Sequence, residues 1–312
     1  MIRKVFSKTK EKLSVFLTIG FFDGVHRGHQ KIINEIVEKA KLNNIQSCVI
    51  TFNPHPLEFF SGKRMKFLTS WEEKKEIFCL LGINLTQVFT FDSQFANLSP
   101  QEFLQKLNEI FDIRQIVVGE EFNFGLKREG NINFLYQKQA EFGYQLKTAP
   151  SLKLDGEKIG SSLLRKWLGE GKVDKVAQGL GRFSTIIGKA IAGREKGQEI
   201  SCSTVSLQTD SHKLLPGGGV YVGYIEEFGV KYKAVINVGG KSAFEDFTLD
   251  VQVHIMGFKG DLCGKTLKVN LVEKIRDIHP FLAPVQFSRQ FKKDKERAER
   301  ILKDYTFLFG NC

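Results

Sequence analysis

G-F-F-D-G-V-H-R-G-H-Q, at positions 20 to 30, places three glycines and two histidines directly after an apolar run. The run itself, positions 13 to 22, predicts a buried strand. After Gln30 the apolar residues recur at helical spacing, and Asn43 and Asn44 can end that helix. The next stretch, S-C-V-I-T-F, predicts a second strand. Strand, glycine-rich turn, helix and strand form a βαβ unit, which implies a parallel sheet.

The quoted stretch is therefore a turn at the carboxyl end of the first strand, where open α/β sheets bind ligands. Glycines let a ligand approach the backbone closely, and the free N–H groups at a helix start favour phosphate. The H-x-G-H spacing of His26 and His29 allows both imidazoles to face one anion. The pattern lacks the Lys-Ser/Thr of a P-loop and the glycine spacing of a dinucleotide fold. It predicts a site that stabilises a transferring phosphoryl or nucleotidyl group, the plain alternative being two surface histidines.

Length and composition indicate a globular protein of two domains. The chain has 312 residues, of which 42% are hydrophobic and 26% are charged. No apolar run approaches the length of about eighteen residues that a membrane span needs. The early run is interrupted by Ser14, Thr18 and Gly20 and has no cleavage site after it, so a signal peptide is not expected. Five scattered cysteines without metal spacing indicate reduced thiols and a cytoplasmic location.

The charge is strongly basic, with 46 Lys and Arg against 35 Asp and Glu, a formal net charge of +11. A basic balance is one footprint of nucleic-acid binding. The sequence has no basic block interleaved with aromatic residues, however, and no recognised nucleic-acid motif. A solvated basic surface around an anionic substrate site is the simpler interpretation, and a nucleic-acid partner is not expected.

Five segments resemble, in order, the bacterial riboflavin kinase/FMN adenylyltransferase family, also called FAD synthetases, within the His-x-Gly-His nucleotidyltransferase superfamily. The quoted stretch resembles the first family motif. T-F-N-P-H-P (51–56) resembles T-F-x-P-H-P, and L-T (68–69) before an E-E-K helix resembles the next segment. V-V-G-E-E-F-N-F-G (117–125) resembles V-V-G-x-D/N-F-x-F-G. I-G-S-S-L-L-R (159–165) resembles I-S-S-T-x-I-R.

The resemblance implies a Rossmann-like nucleotidyltransferase domain over residues 1–180 and the reaction that it performs. The FMN phosphate attacks the α-phosphorus of ATP, and FAD forms while pyrophosphate leaves. Mg²⁺ assists without a direct cage of protein ligands, and no protein nucleophile is needed. Catalysis is then positioning plus charge stabilisation.

The resemblance also implies roles for particular residues. His26, His29 and Arg165 are expected to be catalytic, with His29 taking the larger share of transition-state stabilisation. ATP and its phosphates are expected at Gly20, Phe21, Asp23, Gly24, Gly28, Ser161 and Ser162. A flavin or adenosine pocket is expected at Asn53, His55, Glu121, Phe122 and Phe124.

Plainer interpretations stay open for several of these residues. Ser161 and Ser162 can simply cap a helix, His55 can be a loop histidine, and the two phenylalanines can be core. Glu121 occupies the family's Asp/Asn position with a longer side chain, which puts that role in question.

The second half, residues 181–312, contains glycine-punctuated β-rich runs that predict a small antiparallel barrel. An amphipathic helix follows at 287–305, and its inward residues are expected to be Phe291, Ala298, Ile301, Leu302 and Tyr305. P-G-G-G-V-Y (216–221) and F-K-G-D-L-C-G-K (258–265) resemble the riboflavin kinase domain of the same family.

Three functional segments of that kinase domain depart from the family pattern. The G-F-P-T-A-N loop becomes S-C-S-T-V-S, which keeps Thr204 and puts Ser206 in place of Asn. N-x-G-x-R-P-T-F becomes N-V-G-G-K-S-A-F (237–244). Gln252 stands where the family has its catalytic Glu, and strand alternation puts Asp250, Gln252 and His254 on one face.

These departures predict a barrel that has kept its fold and lost kinase activity. An amide cannot take the proton of the riboflavin 5′-hydroxyl, and loss of a positioned base costs about 10²–10⁴ in rate. Asp250 and His254 are the residues that could substitute for the lost base.

The sequence thus predicts a cytoplasmic FAD synthase with a kinase-like barrel that is inactive. FMN and ATP are the expected small-molecule partners, and no membrane is expected. One alternative is a working bifunctional riboflavin kinase/FMN adenylyltransferase. Another is a non-catalytic regulator that binds flavin or RNA. An oligomer is left open.

Overall fold

The computed structural model describes residues 12–192, 204–227, 229–239, 251–279 and 284–308. The chain divides into two compact units. The first contains the described residues up to Met65 together with Trp71–Gly160. The second contains Lys66–Ser70 together with the described residues from Ser161 onward. The division predicted at residue 180 from the sequence stays a prediction.

The first unit is built on a five-stranded sheet in which every neighbouring pair is parallel. Its strands, in the order in which they lie in the sheet, are β3 (Leu85–Thr90), β2 (Gln46–Asn53), β1 (Leu13–Ile19), β4 (Phe111–Gly119) and β7 (Gln145–Ala149). Two small hairpins pair β5 (Asn123–Phe124) with β6 (Gly130–Asn131) and β8 (Lys153–Leu154) with β9 (Glu157–Lys158). The predicted α/β domain with a parallel sheet is confirmed.

Helices connect these strands. They are α1 (Arg27–Asn43), α2 (Pro56–Ser61), α3 (Trp71–Leu80), α4 (Ser93–Ala96), α5 (Pro100–Ile110), α6 (Ile132–Gln137) and α7 (Gln139–Phe142). The predicted inward face of α1 is confirmed, since Ile32, Ile33, Ile36, Val37 and Ala40 are buried. Asn44 ends the helix in the left-handed region, at φ 53°, and its N–H bonds the carbonyls of Ala40 and Lys41.

The strand order creates a switch point beside β1. From β1 the chain builds β2 and β3 on one side of the sheet, and then returns to build β4 and β7 on the other side. Ligands of open α/β sheets bind outside the carboxyl ends of the strands at such a reversal. The glycine- and histidine-rich loop leaves the sheet at this place, directly after β1.

The second unit begins with α8 (Ser161–Gly169) and α9 (Val173–Leu180) and contains a closed barrel. The barrel strands are β10 (Ser184–Ala192), β11 (Thr204–Thr209), β12 (Gly219–Glu227), β13 (Val230–Val238), β14 (Val251–Ile255) and β15 (Thr266–Arg276). They close in the order β10-β11-β14-β13-β12-β15, and every pair is antiparallel. The predicted small antiparallel barrel is confirmed.

The last helix, α10 (Pro284–Leu308), packs on the barrel. Ala298 and Leu302 are buried in a cluster with barrel residues, and the other predicted inward residues pack against that cluster. The Arg276 guanidinium pairs with the buried Asp294 carboxylate at 2.8 Å, which ties the end of β15 to α10. The helix is longer than the predicted 287–305 at both ends. In the described part of the chain, no helix combines the length and apolar character needed to cross a membrane.

Candidate active site

The loop after β1 is a tight turn with unusual backbone angles. The Gly20 N–H bonds the Ile50 carbonyl at 3.0 Å, which continues the contact between β1 and β2. Phe22 and Val25 then adopt positive φ angles of 56° and 40°, and Gly24 has φ 79°. Left-handed angles are costly for bulky and β-branched residues and are found where the surrounding structure enforces them, often at functional sites. The backbone of this loop is therefore held by its surroundings in a conformation that its residues would not otherwise favour.

His26 caps the first helix with its imidazole. Its Nδ1 accepts a hydrogen bond from the His29 backbone N–H at 3.3 Å, in the manner of an N-cap side chain. Because Nδ1 accepts, the neutral ring carries its hydrogen on Nε2. His26 is only 6% exposed. One buried side chain thus fixes the start of α1.

His29 lies one turn further along α1 and stacks on His26. The two ring centroids are 3.6 Å apart and the planes are 20° from parallel. The Nδ1 atom of His29 is buried and has no hydrogen-bond partner among the described residues. Burial, then His26 and then the Lys74 charge hold the pKa of His29 well below its ordinary value. His29 is therefore a neutral imidazole at neutral pH, with one donor and one acceptor nitrogen.

Gly28, between the two histidines, leaves little room for a side chain. A Cβ atom at this position would lie 3.1 Å from two atoms of the His26 ring. Gly20, Phe21, Asp23, Gly24 and Gly28, the residues expected to contact ATP in this motif, all lie on this one loop and the first turn of α1. The structure thus brings this group of predicted residues together.

Lys74 of α3, which is not among the site residues predicted from the sequence, contacts the same loop. Its Nζ donates to the Phe21 carbonyl at 2.7 Å. The side chain is buried, and burial lowers the pKa of Lys74 to about 8 against the opposing influence of Asp23. The available signal was the E-E-K resemblance, which marked the helix but not the lysine.

The second predicted segment also reaches this loop. His55 caps α2, where its Nδ1 accepts from the Leu57 N–H at 2.9 Å. Its ring packs edge-on against the Phe21 ring, with centroids 4.2 Å apart. Asn53 is exposed at the end of β2, and the peptide bond to Pro54 is cis. His55 is therefore more than a surface loop histidine, since it both caps a helix and contacts the first motif.

The fourth predicted segment, residues 117–125, divides between core and surface. The Phe124 ring is 9% exposed and packs in the core beneath the sheet, and Phe122 stacks on it with centroids 5.5 Å apart. Glu121 is exposed, and its carboxylate pairs with Lys158 at 2.5 Å. Phe122 is only partly buried, so of the two rings it is better placed to contact a ligand.

The fifth predicted segment enters the second unit at Ser161, where α8 begins as the serine pair predicted. Arg165 donates from Nη1 to the Lys66 carbonyl and lies over the Phe67 ring, 5.7 Å from its centre. The segment Lys66–Ser70 is held in turn by Lys213, whose Nζ donates to the Leu68 carbonyl at 2.7 Å. Arg165 is thus oriented by a segment that the barrel side of the chain holds in place.

The predicted kinase positions meet on the barrel wall. Ser206 on β11 pairs with Gln252 on β14, and Asn237 on β13 pairs with Gln252 from the other side. Thr204 lies opposite His254, and its Oγ1 is 2.9 Å from the imidazole Nδ1.

A cavity of about 370 Å³ lies beside His254, between the barrel and α10. The His254 ring packs edge-on against Phe291, and burial followed by the Lys295 charge lowers the pKa of His254 to about 4. Asp250, one of the two possible substitute bases, lies outside the described residues, as do residues 240–244 of the second departing segment and residues 201–203 of the first.

Comparison with known proteins gives matches over both parts of the chain. The family model for FAD synthetase matches residues 8–163, and the model for riboflavin kinase matches residues 180–302. A relative from Buchnera aphidicola subsp. Schizaphis graminum is 31% identical over 312 residues, 98% of each chain. A relative from Listeria monocytogenes is 29% identical over 90% of both chains. A relative from Escherichia coli K12 is also 29% identical, over 91% of this chain and 92% of the relative. All three are named bifunctional riboflavin kinase/FMN adenylyltransferase.

A solved structure shares the fold over nearly the whole chain. The crystal structure of a macrolide-efflux protein from Streptococcus pneumoniae superposes with a TM-score of 0.82 at 26% identity, covering 92% of this chain and 94% of that one. The two family models and the near full-length relatives agree with the motifs of both halves. The chain therefore belongs to the family of bifunctional riboflavin kinase/FMN adenylyltransferases, with an FAD synthetase region followed by a riboflavin kinase region.

Proposed function

We propose that this chain transfers AMP from ATP to FMN, forming FAD and pyrophosphate. The observation that carries the proposal is the stacked pair of His26 and His29 at the start of α1, beside the switch point of the sheet. This pair lies within the region that matches FAD synthetase. Membership of that family also favours an enzyme over a non-catalytic regulator.

The chemistry requires anion binding and charge stabilisation. An FMN phosphate oxygen attacks the α-phosphorus of ATP, the new P–O bond forms, and the bond to the pyrophosphate oxygen breaks. Negative charge develops on the leaving pyrophosphate. Removal of one well-placed donor from such a site typically costs about 10²–10³ in rate. The protein therefore supplies donors at fixed positions and no nucleophile.

The loop after β1 offers three kinds of donor. The first-turn N–H groups of α1 point out of the helix start and favour phosphate. The neutral His26 ring carries its hydrogen on Nε2, because its Nδ1 accepts the cap hydrogen bond. His29 is a neutral imidazole, so one of its two ring nitrogens carries a hydrogen that can donate. We assign His26 and His29 to the ATP phosphates, with His29 taking the larger part of the charge that develops.

The second group of phosphate ligands is assigned to the start of α8. Ser161 and Ser162 lie in its first turn, and Arg165 lies one turn further along. A guanidinium presents its N–H donors in a planar fork that suits phosphate oxygens. We assign Ser162 and Arg165 to the β- and γ-phosphates. The flavin or adenosine pocket is assigned to Asn53, His55, Glu121, Phe122 and Phe124.

Mg²⁺ accompanies ATP in this family and neutralises phosphate charge when bound. The groups on the loop fit a substrate-borne ion: the imidazoles and backbone N–H groups suit phosphate oxygens, and the ion would be held by the phosphates rather than by a cage of protein ligands. The cytoplasmic location expected from the cysteines stays a prediction.

Riboflavin phosphorylation by the barrel is a second candidate function. The match to riboflavin kinase over residues 180–302 and the bifunctional relatives favour it. The expected loss of kinase activity, which rests on Gln252, Ser206 and the altered loops, is not confirmed. Because a glutamine cannot act as a base, we expect any kinase step to be slow, by about 10²–10⁴ relative to a barrel with a positioned carboxylate.

Product analysis tests both functions. The purified protein is incubated with MgATP and either FMN or riboflavin, and flavins are separated by chromatography. We expect rapid FAD formation from FMN and slow conversion of riboflavin. Absence of FAD in the FMN reaction would overturn the main proposal, while complete absence of riboflavin conversion would remove the second candidate and support the loss of kinase activity.

A further inference from the structure

Lys74 is a buried lysine next to the histidine pair. It is 3% exposed, whereas its neighbour Lys75 on the same helix has a side chain that is 33% exposed and pairs with Glu72. Lysine is almost never fully buried without partners, because desolvation of an ammonium is costly. A lysine that only kept this helix soluble would reach solvent, as Lys75 does. The burial of Lys74 therefore needs another reason.

The contacts of Lys74 give that reason. Its Nζ donates to the Phe21 carbonyl at 2.7 Å and lies 3.7 Å from the centre of the Phe21 ring. A cation over an aromatic face is attracted by the ring electrons, and more strongly when both are desolvated. One ammonium thus holds both the main chain and the side chain of Phe21. The next residue, Phe22, is the first of the loop in the left-handed region, at φ 56°.

Electrostatic interactions link a cluster of four groups, Asp23, His26, His29 and Lys74. Asp23, on the turn after Phe22, favours the charged form of Lys74, and burial disfavours it more strongly, so that the pKa of Lys74 falls to about 8. The pKa of His29, in the first turn of α1, is lowered first by burial and then by His26 and by the Lys74 charge. At neutral pH the cluster therefore contains a charged lysine and a neutral His29. A buried positive charge at this position also attracts a polyphosphate.

We infer that Lys74 is a positioning residue for adenylyl transfer, which fixes the loop after β1 from α3 and supplies a buried positive charge beneath the phosphate site. The inference rests on the proposed function. It adds a residue of α3 to the groups of the first unit that are assigned to the ends of β1 and β2 and to the segment after β4. It also gives a physical reason for the strained loop to keep its shape in the absence of nucleotide.

Three variants test the inference, and Lys75→Met is the matched control. We expect Lys74→Met to lower kcat/KM for FAD formation by about 10- to 100-fold, the range for loss of a charge-assisted hydrogen bond. We expect Lys74→Arg to recover most of that loss, because a guanidinium keeps both the charge and the donors. Lys75→Met should change kcat/KM by less than about twofold, because its side chain is at the surface.

A pH profile separates a positioning role from a merely structural one. The wild-type kcat/KM should fall as the pH rises through about 8, where Lys74 loses its proton. In Lys74→Arg that fall should move to higher pH, because a guanidinium stays charged. Since this variant keeps the charge, it also tests the inference if Lys74→Met does not fold.

The outcomes distinguish the inference from the proposed function. If the wild type forms no FAD, the proposed function is overturned and the inference fails with it. If the wild type forms FAD and Lys74→Met, shown by thermal unfolding to be folded, matches it within about twofold, only the inference is overturned. An unchanged alkaline limb in Lys74→Arg would likewise overturn it.

Discussion

A pair of substitutions at His26 separates helix capping from catalysis. The His26 imidazole caps α1 by accepting from the His29 N–H, and it also stacks on the His29 ring at a centroid distance of 3.6 Å. Asparagine is among the best N-cap residues, whereas alanine cannot cap. His26→Asn therefore keeps the cap and removes the imidazole, while His26→Ala removes both.

The two variants should differ in stability but not in activity. Loss of an N-cap costs about 1 kcal/mol, which corresponds to about 2–4 °C in Tm for a domain of about 150–250 residues. We expect His26→Ala to be less stable than His26→Asn by this amount. Loss of one donor to the developing charge should lower kcat by about 10²–10³ in both variants.

The assay is initial-rate FAD formation from FMN and MgATP, together with thermal unfolding of each variant. Ser99→Ala is the matched control, because Ser99 caps α5 through a capping box with Glu102 and is not a residue of the histidine loop. It should lose stability by about 1 kcal/mol and keep its kcat. If His26→Asn keeps kcat within about threefold of the wild type, His26 is only a helix cap and the catalytic assignment is refuted.

Three further predictions follow from the same geometry. Gly28→Ala should lower the rate of FAD formation by about 10-fold, because the added Cβ displaces the His26 ring by tenths of an ångström. Its control is Gly169→Ala, whose Cβ meets nothing within 4 Å and which should leave that rate unchanged. Folding lowers the pKa of His29, so below a pH of about 6.5 the unfolded state binds more protons than the folded state does. The free energy of unfolding should therefore fall on acidification, by up to about 1.4 kcal/mol per pH unit. Urea unfolding should show this slope in the wild type and a shallower one in His29→Asn. Gln252→Glu should raise riboflavin phosphorylation by at least about 10-fold and leave FAD formation from FMN unchanged; no gain would refute the assignment of Gln252 to the base position.

Local sequence patterns were sufficient for the parts of the fold that rest on local physics. The helical spacing after Gln30 predicted the buried face of α1, and strand alternation placed Gln252 and His254 on one face of β14, where both are partly buried between fully buried neighbours. The serine pair marked the start of α8. In each case the period of the apolar residues, or the preference for a helix start, determines the result within a few residues.

Contacts between distant segments could not be predicted in this way. Lys74 lies in an E-E-K-K-E run that is typical of a solvated helix face, yet it bonds a carbonyl 53 positions earlier in the chain. Lys213 bonds the Leu68 carbonyl across 145 positions. Helix periodicity and charge patterning contain no information on such partners. The capping roles of His26 and His55 were missed for a related reason, because histidine is not among the residues expected at an N-cap.

Transfer of the α-phosphate tests the central claim most directly. The purified protein is incubated with FMN, Mg²⁺ and ATP that carries a radioactive α-phosphate, and the label is followed after separation of flavins, nucleotides and pyrophosphate. We expect labelled FAD in an amount equal to the unlabelled pyrophosphate released, and we expect His29→Asn to lose this transfer. Label that stays in ATP or appears only in free AMP, with no labelled FAD, would contradict it.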